Sequence, residues 1–147
     1  MSKIANSNLK LHECACRNLR MTTRVITQYY DKALRPAGIK SAQYSLLNDI
    51  SDKKNGISVN ELAEHAMMDQ TTVTRNIELL RKNGLVKVET EVKDSRKKRI
   101  TVSTEGKAVL AAALPLWKEA QAELEQTVGI AEYENFLKTL SVLKKMK

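Results

Sequence analysis

The chain has 147 residues, 29% charged and 42% hydrophobic, with 25 Lys and Arg against 17 Asp and Glu for a formal net charge of +8. That length suits a single core, and no run of about 18 apolar residues or apolar stretch within the N-terminal MSKIANSNLK argues for a membrane span or secretory signal, so a cytoplasmic location is expected. With 5 Gly, no phosphate-cradling loop and no Ser-His-Asp or Cys-His motif, the chain offers no basis for an enzyme.

The charge is uneven. Residues 1–57 hold ten basic and four acidic groups, residues 58–104 nine and seven, and residues 105–147 six and six. The last segment is therefore no surface for a polyanion, whereas the first two carry the excess that attracts nucleic acid non-specifically.

From about Leu9 to Leu34, Cys16, Leu19, Thr23, Ile26, Tyr30 and Ala33 recur at spacings of three and four, which predicts a long helix with one apolar face. His12, Cys14 and Cys16 sit near its start. Residues two apart on a helix point about 200° away from each other, so the two thiols cannot bridge within it. An extended segment would align the three side chains, yet zinc takes four ligands and no other pair has metal spacing, so neither metal nor cofactor is expected. After Pro36-Ala-Gly38 a further helix starts at Ser41 and turns Tyr44, Leu46, Leu47 and Ile50 inward.

Next comes SVNELAEHAMMDQTTVTRNIELLRKNG, from Ser58 to Gly84. Ser58 and Glu61 form a capping box, Met67-Met68-Asp69 breaks the helix, and Asp69 caps a second helix that stops at Asn83-Gly84. In that second helix Val73, Ile77 and Leu80 share an inward stripe, which leaves Thr71, Arg75, Glu78 and Lys82 outward and Gln70, Thr72 and Thr74 on the N-terminal flanks. Hydroxyls and helix-start amides suit phosphate oxygens, while Gln and Arg can bond base edges in pairs. A solvated polar face would look the same in isolation.

The following segment favours DNA. Leu85–Val92 and Ile100–Thr104 alternate as two strands, and Lys93-Asp-Ser-Arg-Lys-Lys-Arg99 between them holds five basic residues among seven. Beside a recognition-type helix this hairpin is a wing that can lay Arg96, with Lys97 and Lys98, along or into a minor groove. Beyond it, GKAVLAAALPLWKEAQAELEQTV reads as a helix of over 20 residues, kinked near Pro115 and ended by Gly129. A last helix, about Ala131 to Lys145, presents Tyr133, Phe136, Leu137, Leu140 and Leu143. A small winged helix needs none of these terminal faces for its own core, so they suggest a partner.

The stretch Asp69-Gln-Thr-Thr-Val-Thr-Arg75, the Leu80–Leu85 segment LRKNGL, and Asp94-Ser-Arg96 leading to Ile100-Thr-Val-Ser-Thr-Glu-Gly106 resemble the recognition helix and wing of the MarR family of winged-helix repressors. Ile100 stands where that family usually has Leu. The resemblance implies a mainly α fold with a small β-hairpin wing. Residues 35–104 would form a winged helix-turn-helix that binds double-stranded DNA, and residues 1–34 and 105–147 would pair with their twins in a homodimer. Two recognition helices would then sit about one DNA turn apart on a palindromic operator. It implies Arg96 in the minor groove and Asp94 supporting the wing by pairing with a nearby Arg. Two inputs follow from the same resemblance. One branch senses organic hydroperoxides through a Cys in its first helix, where Cys16 falls here. Tyr30 matches one of its sulfur-neighbouring tyrosines, Arg20 and Ser41 replace the other two, and Arg17 and Arg20 lie a turn from the sulfur. Other members are relieved by small aromatic acids or drug-like ligands, for which Tyr30, Tyr44 and Trp117 are candidates. The competing reading is a winged helix used as a protein-protein module, its basic wing on an acidic partner.

Overall fold

A computed structural model describes residues 10–91, 93–94 and 97–147 of the chain. A 3-10 turn at Leu11–Glu13 precedes α1 (Ala15–Leu34), and a second at Arg35–Ala37 ends on Gly38, whose φ of 74° lets the backbone reverse into α2 (Ser41–Ser51). Then follow α3 (Val59–Ala66), α4 (Gln70–Lys82), β1 (Val86–Thr90), β2 (Lys98–Val102), α5 (Thr104–Val128) and α6 (Ile130–Lys144). The fold is mainly α with one antiparallel hairpin, as the periodicity predicts.

The first helix begins later than its apolar period suggests. The Asn18 side-chain amide donates to the carbonyls of His12, at 2.7 Å, and Cys14, at 2.9 Å, which favours a tight turn ahead of the helix proper. Cys14 is consequently the N-cap, in extended backbone with φ −71° and ψ 125°, and only Cys16 lies within α1. The expectation of both thiols on one helix is thus corrected.

Leu34, Leu46, Leu47, Ile50, Leu62, Val73, Leu80 and Ile100 are all under 2% exposed and join α1, α2, α3, α4 and β2 in one core. Each such side chain contributes about 1.5–3 kcal/mol by leaving water. Val109, Leu110, Leu116 and Trp117 of α5 pack against that core from one side. By contrast α6 buries no residue fully, and α1 buries only Leu34. Hydroxyl groups tie these terminal helices together. Tyr29 donates to the Ala120 carbonyl at 2.8 Å, Tyr30 donates to Gln121 Oε1, and Gln121 Nε2 donates to Tyr133 at 2.8 Å, which joins α1, α5 and α6. α5 continues through Pro115 as one helix.

The hairpin registers Val86 on Val102, Val88 on Ile100 and Thr90 on Lys98. Its second strand therefore starts two residues before the expected Ile100, and Ser103 and Thr104 leave it for α5. Ser103 is the N-cap of that helix: its Oγ accepts from the Gly106 amide at 3.0 Å and donates to the Gly84 carbonyl at 2.5 Å. A capping geometry this well satisfied outcompetes strand alternation. Gly106 has no room for a side chain, because a Cβ there would run into the Leu85 carbonyl and Val102 Cγ1. Ile57 forms an isolated antiparallel bridge beside the hairpin, exchanging hydrogen bonds of 3.1 and 2.9 Å with Ile100.

Candidate nucleic-acid interface

The turn between α3 and α4 is set by two caps and one left-handed residue. Ser58 Oγ accepts from the Glu61 amide at 3.1 Å, the forward half of the expected capping box. Met67 closes α3 with φ 54°, and its amide reaches back to the carbonyls of Ala63 and Glu64. Asp69 then starts α4, with Oδ1 accepting from the Thr72 amide and Oδ2 from the Thr72 hydroxyl, both at 2.8 Å. Those two bonds, aided by the positive charge of Arg75, hold the Asp69 carboxyl below the usual carboxylate range.

Val73, Ile77 and Leu80 are buried, as the predicted stripe requires, and Gln70, Thr71, Thr74 and Arg75 are exposed. Gln70, Thr71, Thr74, Arg75, Glu78, Leu79 and Lys82 border one open, shallow concavity along α4, so their side chains form a continuous surface. Thr72 differs from its neighbours, since its hydroxyl is engaged by Asp69 and its side chain is half-buried. Its first role is the cap.

Glu78 places a negative charge on the exposed side of α4. Arg81 answers it with a two-pronged contact, Nη2 to Oε1 at 2.6 Å and Nε to Oε2 at 3.0 Å, which holds the Glu78 carboxyl below its ordinary value. Lys82 and Lys98 add to that depression, so Lys98 of the wing lies within electrostatic reach of the exposed side of α4. Helix and hairpin thus present adjoining basic groups.

Within the hairpin the basic residues divide by role. Lys97 and Lys98 are exposed, and the Lys97 amide donates to the Asp94 carbonyl at 3.0 Å while its own carbonyl accepts from Glu91 at 2.8 Å, which closes the turn. Arg99, also exposed, is engaged by the domain instead: Nη2 lies 3.0 Å and Nε 3.1 Å from Glu91 Oε1, and Nη1 donates to the carbonyls of Asn55 at 3.1 Å and Gly56 at 3.4 Å. It fastens the wing to the α2–α3 turn. Arg96, the residue assigned to the minor groove, lies outside the described residues. Leu79 is a member of the α4 surface that polarity alone did not flag, and it is 44% exposed.

At the other end of the molecule Cys16 is exposed, and Arg20 Nη2 donates to its sulfur at 3.6 Å. Tyr30 is no neighbour of that sulfur within one chain. It lies on the same helix about 21 Å further along its axis, with its hydroxyl given to Gln121. Among the described residues no group of three or more His, Cys, Asp or Glu is placed to hold a metal. No described helix is long and apolar enough to cross a membrane.

Comparison with known proteins agrees with this arrangement. A family model described as MarR family matches residues 37–97. The transcriptional regulator HosA of Escherichia coli is 30% identical over 95 residues, which span 65% of this chain and 70% of HosA. The crystal structure of the M. tuberculosis transcriptional regulator MosR matches with a TM-score of 0.79 at 36% identity, over 92% of this chain and 98% of MosR. A second structure of MosR, in complex with DNA, matches with a TM-score of 0.74 at 36% identity, over 90% and 99% of the two chains.

Proposed function

The chain belongs to the MarR family of transcriptional regulators, and on that footing we propose that it is a homodimeric, sequence-specific repressor that releases a palindromic operator on receiving a signal. One observation carries the DNA-binding half of this reading. The outer side of α4 is a continuous surface of Gln70, Thr71, Thr74 and Arg75 with Lys98 of the wing alongside, in a chain 36% identical to a regulator whose structure contains DNA. Gln70 and Arg75 supply paired bonds to base edges, Thr71 and Thr74 hydroxyl contacts, and Lys97, Lys98 and Arg96 phosphate and minor-groove contacts. Thr72 serves mainly through the cap, and Asp94 through the wing turn.

Residues 35–104 act as the DNA-binding unit, and residues 1–34 and 105–147 as the dimerising one. What supports the pairing is exposed apolar surface on the terminal helices: Met21 and Val25 on α1, Ile130, Phe136, Leu137 and Val142 on α6, each at least 44% exposed. A two-fold pair of such units matches an inverted repeat with half-sites about 10 base pairs apart. Selection of bound duplexes from a random pool, followed by sequencing, tests this. The proposal predicts an inverted repeat at that spacing, and recovery of isolated half-sites would contradict it. Acting on chromosomal DNA, the protein works in the cytoplasm.

The signal is a small ligand held where α1 and α5 meet α2, where a cavity of about 390 Å³ opens beside Tyr30, Tyr44 and Trp117. An occupant that fits better when the recognition helices are wrongly spaced for DNA lowers operator affinity by its differential binding. A thiol signal has its own support in the Arg20 contact on exposed Cys16. Attack of the Cys16 thiolate on a hydroperoxide would yield the sulfenic acid and the alcohol. Hydroperoxide is expected to release the parent from DNA but not a Cys16→Ser variant, and equal release of both removes the thiol signal.

A further inference from the structure

The lining of the cavity between α1, α2 and α5 mixes aromatic rings with carboxylates. Its lining combines the rings of Tyr30, Tyr44 and Trp117 and the side chains of Leu34 and Leu114 with Asp49 and Asp52 among uncharged polar groups, and among the described residues no Lys, Arg or His borders it. In a chain of net charge +8 an all-anionic lining runs against the average. We propose that this cavity binds a compact organic cation, such as an aromatic or quaternary amine, in preference to an aromatic acid.

The proposal rests on the reading of the protein as a ligand-relieved regulator and gives that ligand its chemical class. Aromatic faces attract a cation through the negative potential above the ring, and desolvation inside a cleft strengthens that attraction. Burial raises the Tyr30 and Tyr44 phenols above their ordinary value, so both rings stay neutral. Tyr30 keeps its hydroxyl on Gln121, which leaves the ring as its contribution to the wall. The carboxylates then supply the counter-charge. A carboxylate ligand would instead meet Asp49 and Asp52 with no cation among the described lining residues to offset the repulsion.

The same aspartate connects the cavity to the DNA-binding helices. Asp49 Oδ1 lies 3.6 Å from Nε2 of His65, on α3, the titratable group that faces it from a neighbouring element. A cation seated on Asp49 competes with His65 for the carboxylate and loosens a tie between α2 and α3. Occupancy is thereby felt by the helix pair that presents α4.

Trp117 is the only tryptophan of the chain and lines the cavity, so its fluorescence reports occupancy directly. The full-length protein, free of DNA, is titrated with benzyltrimethylammonium, benzyl alcohol and benzoate. The expected result is a saturable change in Trp117 emission with benzyltrimethylammonium bound about tenfold tighter than either other probe. In an Asp49→Asn, Asp52→Asn double variant that preference falls to within about twofold, while benzyl alcohol is unaffected. Helix content by circular dichroism verifies the fold, and the two single variants decide the matter if the double variant is compromised. Benzoate or benzyl alcohol binding as tightly as the cation, a preference that survives in the variants, or no saturable change with any probe overturns the proposal. None of these outcomes bears on DNA binding, which is measured without the probes.

Discussion

Gln70, Thr72 and Arg75 all stand in the first half of α4, but their surroundings give them different work. Gln70 and Arg75 are exposed with side chains available to a base edge, whereas Thr72 closes the Asp69 cap through both its amide and its hydroxyl. Replacing Gln70 or Arg75 by Ala is expected to cost about 1–3 kcal/mol of binding and to relax base preference at the position lost. Thr72→Val keeps the amide bond and loses the hydroxyl one, so it should weaken α4 and lower affinity for all sequences alike. Competition binding against single-base operator variants separates the two behaviours. The inward stripe and the Asp69 cap were legible from residue type and spacing. The engagement of Thr72 was not, because three threonines in one short run look equivalent until the cap assigns one of them.

Among the elements, the wing shows where one-dimensional reading runs out. Counting charge between the strands made Arg99 one of five basic residues in the connection, yet it lies in β2 and bonds Glu91 and the carbonyls of Asn55 and Gly56. Those partners are 8 and about 43 residues away along the chain, and only the folded turn brings them together. Arg99→Ala should destabilise the protein by about 1 kcal/mol in urea melts, a figure reduced for its exposure, and leave the salt dependence of DNA binding unchanged. Lys98→Ala should do the reverse, sparing stability and lowering the salt slope by about 1. A shared outcome for both variants would show that Arg99 is a phosphate contact after all. Strand and helix boundaries shifted for local reasons of the same kind: the Ser103 cap drew two residues from β2 into the start of α5, and the Asn18 amide held Cys14 outside α1.

For the molecule as a whole, the central core was readable because its members recur at helical and strand periods: Tyr44, Leu46, Leu47 and Ile50 in α2, and Val73, Ile77 and Leu80 in α4. The purpose of the terminal helices was suggested by the same logic turned round, since their apolar residues stay exposed in one chain. Tyr30, Tyr44 and Trp117 were nameable as ligand candidates, but the cavity they share was not, for its lining comes from three helices and its charge from Asp49 and Asp52, which no sequence motif singles out. What unites these features is the claim that α4 and the wing hold duplex DNA through phosphates and bases together. Fluorescence anisotropy of a labelled duplex, titrated with the protein at several salt concentrations, tests it most directly. Log affinity should fall linearly with log salt by about 0.9 for each phosphate contact, and the fall should be shallower for Lys98→Ala. Affinity that stays flat across the salt series would contradict it.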